Sequence, residues 1–160
     1  MMLIRLELRK KVIMKSNFLI LALLATMSCM AEAAPHVLRI VPSSFGSACN
    51  AQNEVVLSSQ AGVLKCGTIS TFPNDCSVLV DQASIGSSYG YRLECLTENG
   101  EVARRASAGV VQCFNIHTIG ACSVSLLTDS QWKPACDPAR NEVVIAESAD
   151  RVKCAIVDLR

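Results

Sequence analysis

The sequence has no surplus of charge of either sign and few aromatic side chains. Its 15 Lys and Arg residues balance 14 Asp and Glu residues, and aromatic residues make up only 4% of the chain. Because no basic surplus exists to neutralise phosphates, nucleic acid is not expected as the main partner. The balance also argues against a charged disordered tail. Hydrophobic residues account for 51% of the 160 residues, which is enough for one packed domain.

The apolar run Phe18–Met27 is too short to cross a membrane. It has ten residues, whereas a spanning helix needs about 20. Basic residues precede this run, and an Ala-x-Ala cleavage pattern follows at residues 31–33, so residues 1–33 are interpreted as a secretory signal peptide whose start is Met1 or Met14. We expect a secreted, extracellular chain of residues 34–160, a single domain with no membrane association after cleavage. Lipidation of Cys29 is a weaker alternative.

The sequence also lacks a Cys-x-x-Cys motif and an Asn-x-Ser/Thr glycosylation sequon. Closely spaced thiols are typical of redox and zinc sites, so no metal or cofactor is expected. The chain has nine Cys, and removal of Cys29 with the leader leaves eight. An even number in a secreted chain predicts four disulfides. The eight are Cys49, Cys66, Cys76, Cys95, Cys113, Cys122, Cys136 and Cys154.

One pattern of about 40 residues occurs three times, in units of about 37–77, 78–123 and 124–160. In each unit a Glu stands twelve positions before a Cys. An earlier Cys is preceded, four positions back, by an aromatic residue. The glutamates are Glu54, Glu101 and Glu142, and the aromatics are Phe45, Tyr91 and Trp132. We expect the three equivalent aromatics to pack in the core; a platform for stacking sugars is the alternative.

Each unit also repeats a pattern typical of short β-strands. The apolar, β-branched residues 54–57 favour a strand, residues 58–62 have turn chemistry, and residues 63–66 return as a second strand. Residues 91–95 alternate apolar and polar side chains, as a half-buried strand does. The mature chain has no long apolar stripe of helical period. The sequence therefore predicts an all-β protein with four strands per unit, twelve in all.

Three pseudo-symmetric four-stranded units resemble the β-trefoil superfamily. The paired Cys of each unit lie 17 or 18 positions apart, which is similar to the within-repeat disulfide of ricin-type trefoil lectins. The chain lacks the Gln-x-Trp motif of those lectins, because Gln131 and Trp132 are adjacent and precede a Cys. A β-sandwich or an open three-repeat β structure is the alternative fold.

Repeat symmetry reduces the 105 possible disulfide pairings. If each unit is one supersecondary element, its two repeated Cys should have the same partners in every copy. The simplest solution is Cys49–Cys66, Cys95–Cys113 and Cys136–Cys154. Cys76 and Cys122 then pair with each other, which would tie the first unit to the second.

The candidate partner-contact residues are Arg104, Arg105 and Trp132. The two arginines form the only paired basic patch of residues 34–160, at the expected hairpin tip of the second unit, where the other units have apolar or small residues. His117, in an expected loop, is a weak candidate for a general base. No Gly-x-Ser-x-Gly motif accompanies it, so a Ser–His–Asp arrangement has no support. Loop carboxylates could bind calcium or a sugar but are expected to be solvated; they are Asp75, Asp129 and Asp137.

The general make-up resembles the small cysteine-rich secreted proteins of plant-associated fungi that are treated as candidate effectors. This resemblance implies a non-enzymatic protein that binds a host partner, either an extracellular protein or a glycan. The trefoil pattern implies two alternatives, a carbohydrate-binding trefoil lectin and a Kunitz-type (soybean-inhibitor-like) protease inhibitor. An enzyme is least expected, because paired catalytic groups are lacking.

Overall fold

The structure is a computed structural model that describes residues 35–49, 52–81 and 91–160. The proposed signal peptide and its cleavage site lie outside these residues. Ten β-strands and two short 3₁₀ helices, Thr97–Asn99 and Pro138–Arg140, lie in the described part. The strands are β1 Val37–Gly46, β2 Glu54–Gln60, β3 Val63–Phe72, β4 Cys76–Asp81, β5 Tyr91–Arg92, β6 Glu101–Ser107, β7 Val110–Gly120, β8 Val124–Lys133, β9 Glu142–Ser148 and β10 Arg151–Leu159.

Each sequence unit forms one antiparallel sheet, except that Cys76 and Ser77, the last residues of the first unit, begin β4 of the middle sheet. The first has the order β1-β3-β2, the third has the order β8-β10-β9, and in the middle sheet β4, β5 and β6 all pair with β7. The predicted all-β class with four disulfides is confirmed. Among the described strands, the backbone pairing forms these three sheets and does not close a barrel. No helix in the described ranges has the length and hydropathy to span a bilayer.

Four strands occur only in the middle unit, so the expected total of twelve is corrected to ten in the described residues. In the first unit, the residues before β2 form one continuous strand, β1, whose register shifts between Pro42 and Phe45, so this unit has three strands and not four. The third unit has a larger shift at the corresponding place in β8, between Thr128 and Trp132. An irregularity of this kind bends a strand without ending it. In the middle unit, β4 and β5 are separate strands along the same partner, β7.

The hairpins of the three units end in two-residue turns. Gln60 pairs with Val63 across Ala61 and Gly62, whose φ angles are 50° and 79°. Two successive residues with positive φ match the right-handed twist of hairpin strands. The other turns are Ala108-Gly109 and Ala149-Asp150. The predicted hairpin is thus correct, but its tip in the second unit is at Ala108 and not at the two arginines.

The four disulfides have the predicted pairing. The paired Cα atoms are 5.6 Å apart in Cys49–Cys66, 5.5 Å in Cys95–Cys113 and 5.7 Å in Cys136–Cys154 and Cys76–Cys122. The three within-unit bonds lie in one buried cluster with aliphatic side chains of all three hairpins. Cys76 begins β4, which belongs to the middle sheet. The fourth bond therefore joins the start of β4 to the segment that follows β7, both in the middle part of the fold. The expectation that it ties the first unit to the second is corrected, because Cys76 belongs to the middle sheet.

The three equivalent aromatics are not in the core, contrary to the prediction. Phe45, Tyr91 and Trp132 are 70%, 53% and 41% exposed. Each stands opposite the residue that precedes a buried Cys. Because successive residues of a strand point to opposite faces, this register directs the aromatics outward while the cysteines point inward. Valine, leucine, isoleucine and cystine fill the interior instead.

Candidate functional site

The repeated glutamates have a structural role in the second and third units. Glu142 is fully buried, receives the Lys133 Nζ at 2.8 Å and accepts the backbone N–H of Asp137 at 3.0 Å. Glu101 is 4% exposed and makes the same two contacts, with Arg92 at 2.9 Å and the Leu96 N–H at 3.1 Å. A buried carboxylate is stable only when it is paired and hydrogen-bonded in this way. Each glutamate thus fixes the loop that follows a Cys.

The Arg104 side chain makes its contacts within the protein. It occupies a bulge in β6, between the paired residues Ala103 and Arg105. Its Nε donates to the Cys49 carbonyl oxygen at 2.7 Å, and its guanidinium lies 5.2 Å from the centroid of the Phe114 ring. The equivalent bulge residues of the other hairpins are Leu57 and Ile145, which are buried. Arg104 therefore belongs to the packing, whereas Arg105 is exposed.

The predicted loop residues have ordinary structural surroundings. His117 lies in strand β7 opposite Leu79 and not in a loop, which corrects the prediction. Asp75 accepts from His36 at 3.0 Å, and the Asp137 side chain accepts the Ala139 N–H at 2.9 Å. In the part of the chain that the structure describes, no group of three or more His, Cys, Asp or Glu side chains could hold a metal ion.

Asp129 forms a short ion pair with Lys133, at 2.7 Å. The hydrogen bond from Lys133, followed by the one from the Gln131 N–H, lowers the pKa of the Asp129 carboxyl. The same hydrogen bond to Asp129, reinforced by the one to Glu142, raises the pKa of Lys133. This network holds the end of β8 directly after the exposed Trp132.

Two contacts join the second unit to the third beside Trp132. Thr97 Oγ1 and Thr128 Oγ1 are 2.7 Å apart, and Lys153 Nζ lies 2.6 Å from Glu94 Oε1. Lys153 is also the strand partner of Trp132. Exposed apolar side chains flank these contacts: Leu93 is 77% exposed, Leu96 41%, Leu127 50% and Trp132 41%. We call these four residues the seam surface.

The positions that correspond to the three leucines are mostly polar in the other two units, whereas Trp132 corresponds to the exposed aromatics Phe45 and Tyr91. Spacing from the repeated aromatic and Cys in the sequence aligns Leu93 and Leu96 with Ser47 and Asn50 in the first unit and with Pro134 and Asp137 in the third. Leu127 aligns with Val41 and Asp81. Since the same fold forms without these leucines in the other units, the folding of the repeat does not require them. Sequence reasoning identified Trp132 but missed Leu93, Leu96 and Leu127, although this break in repeat symmetry is visible in the sequence.

A polar groove lies elsewhere, between β3 and β4. Its volume is about 500 Å³, and amide and hydroxyl side chains dominate its lining. Asn53 Nδ2 donates to the Ile69 carbonyl at 3.2 Å there. The lining includes Gln52, Asn53, Ser70, Thr71, Asn74 and Ser77. Uncharged hydrogen-bonding groups of this kind could recognise sugar hydroxyls.

Comparison with known proteins yields no relative. No protein-family model, curated protein or solved structure matches the chain.

Proposed function

We propose that this is a secreted, disulfide-stabilised, non-enzymatic protein that binds an extracellular protein partner through the seam surface. The observation that carries the proposal is the exposure of three leucines on segments neighbouring the exposed Trp132, at leucine positions where the other repeats are mostly polar. Clusters of exposed apolar side chains mark interaction sites in soluble proteins. Tryptophan is also enriched among the residues that dominate binding energy.

The surroundings of the seam surface suit a protein interface. The Glu94–Lys153 and Asp129–Lys133 ion pairs stand beside the apolar residues. An apolar centre with a charged rim is the usual anatomy of such interfaces. Four disulfides are typical of an extracellular compartment and hold the presenting segments rigid. The effector-like make-up of the sequence agrees with a host protein as the partner, and the three-unit pattern agrees with a trefoil-like ancestry.

The proposal is tested with the oxidised chain of residues 34–160, immobilised and exposed to extracellular fluid. We expect Leu93→Asp with Leu127→Asp to abolish retention of the partner, because a buried charge in an interface is unfavourable. Ile119→Asp is the matched control, since Ile119 is also an exposed strand residue, at 59%, but lies outside the seam surface. Equal retention by the two variants would refute the proposed surface.

Carbohydrate binding is the second candidate, favoured by the polar groove. Asn53→Ala and Ser70→Ala would remove hydrogen-bonding groups from its lining. A glycan array with the oxidised protein distinguishes the two functions. Glycan binding that is lost in these variants and retained in the seam-surface variant would favour a lectin over a protein-binding module.

A further inference from the structure

The hairpin ends of all three units meet around one concavity, which we call the axial pocket. Its volume is about 580 Å³. Most of its lining consists of small side chains and backbone from the three turns. The lining residues are Ala61, Gly62, Ser107, Ala108, Gly109, Glu147 and Ala149. Glu147 is the one ionisable residue among them.

Glu147 is unusual because its carboxylate is buried without a cation. Glu147 as a whole is only 5% exposed. The Gly109 N–H donates to Oε2. Among the described residues, no Lys, Arg or His forms an ion pair with Glu147. Burial of a carboxylate is costly unless it is paired, and one N–H donor offsets only part of that cost.

The positions equivalent to Glu147 in the other two hairpins also bear on this site. Ser59, Ala106 and Glu147 are equivalent, since each pairs with the residue two positions before a repeated Cys. Ser59 is 1% exposed, and its Oγ has no hydrogen-bond partner. Alanine at this position shows that the fold needs no polar group here. A buried polar side chain therefore stands at this position in two of the three copies, and that of Ser59 has no hydrogen-bond partner among the described residues.

We propose that the axial pocket binds a primary ammonium group carried on an aliphatic stem, the chemistry of a lysine side chain. The ammonium would pair with Glu147, and the methyl groups of the alanines would contact the stem. A metal ion fits poorly, because calcium takes six to eight oxygen ligands and the pocket offers one carboxylate. A lysine combines a compact charge with a flexible apolar stem, as this lining requires. The site is independent of the seam surface.

The test is an NMR titration of the folded, oxidised protein of residues 34–160. The probes are Nα-acetyl-lysine N-methylamide, 1,5-diaminopentane and the neutral norleucine analogue of the first. We expect saturable shifts of the Ala61, Gly109 and Ala149 amides with both amines and none with norleucine. Tighter binding of the lysine probe would identify a peptide source, and tighter binding of the diamine a free amine. Equal shifts with the norleucine probe, or no saturation with either amine, would overturn the proposal.

Three variants locate the site. Glu147→Gln preserves the shape and removes the charge, so affinity should fall at least tenfold. Ser107→Lys places a tethered ammonium at an exposed lining position and should block the amines. Ser148→Lys is the matched control, since Ser148 precedes the turn of the third hairpin in the same way but does not line the pocket. If Glu147→Gln fails to fold, equal binding by the two lysine variants still refutes the site.

Discussion

The backbone N–H of Cys136 donates to the carbonyl oxygen of Leu57 at 2.8 Å, joining the third unit to the first. The same bond recurs around the molecule. Cys95 donates to Ile145 at 2.8 Å, and Cys49 donates to Arg104 at 3.3 Å. In every case the donor is the first Cys of one unit and the acceptor is the bulged residue of another. The bulge thus frees a carbonyl from the sheet and directs it to the neighbouring unit. Three local hairpins become one domain through this ring.

Glu142→Ala should lower the free energy of unfolding by about 2–3 kcal/mol. Loss of one partner of a buried ion pair commonly costs about 3–5 kcal/mol, and Lys133 would keep Asp129 as a partner. Urea denaturation with the disulfides intact measures the change. Glu54→Ala is the control, because Glu54 is only partly buried, and it should cost less. A Glu142→Ala variant as stable as Glu54→Ala would contradict the structural role.

Arg104→Leu should retain most of the stability, whereas Arg104→Ala should lose about 1–2 kcal/mol. The equivalent bulge residues Leu57 and Ile145 are buried aliphatics, so the fold accepts a leucine at this position. Alanine would remove both the contact with Phe114 and the hydrogen bond to Cys49. Thermal unfolding compares the two variants. Arg105→Ala, at an exposed site, should change the stability by less than about 0.5 kcal/mol; a larger loss there would reverse the assignment.

Replacement of Cys76 and Cys122 by serine should destabilise the protein more than replacement of Cys49 and Cys66, because the longer closed loop restricts the unfolded chain more. The closed loops span 46 and 17 residues. The loop-entropy model assigns about 4 kcal/mol to the longer loop and about 3 kcal/mol to the shorter. Non-reducing peptide mapping first verifies the pairing, and urea denaturation then gives the difference. A smaller effect for the longer loop would show that burial outweighs chain entropy.

The stability should depend on the protonation of Asp129 at acidic pH. The Lys133 hydrogen bond lowers the pKa of Asp129 in the folded state, so its contribution is present above the ordinary value of 3.8. This contribution is lost as the pH falls through the lower folded pKa. Asp129→Asn should therefore be less stable than the wild type at neutral pH, and the difference should shrink below pH 3.8. A difference that stays constant into strong acid would exclude the ion pair as its source.

Repeat spacing was sufficient to predict the all-β class and the three within-unit disulfides, because strand patterns are local and these disulfides recur in every unit. The twelve positions between each Glu and Cys set the hairpin register, and that register repeats in all three units. The exposure of Phe45, Tyr91 and Trp132 was predicted wrongly. An aromatic at equivalent positions suits a core and an outward face equally well, and only the pairing with Lys65, Gln112 and Lys153 decides between them.

The sequence by itself determined the threefold repeat, the all-β character and the three within-unit disulfides, since these follow from periodicity, and the partner of Cys76 followed by elimination. Only the tertiary structure brings together the residues of the proposed binding surfaces. Leu93 and Leu127 are 34 positions apart in the chain, and contacts between the two units, among them Thr97–Thr128 and Glu94–Lys153, bring their segments together. In the sequence, nothing distinguishes Glu147 from other strand residues. In the structure, residues of all three hairpins line the pocket that contains it. Such neighbourhoods depend on contacts between units, which no local pattern encodes.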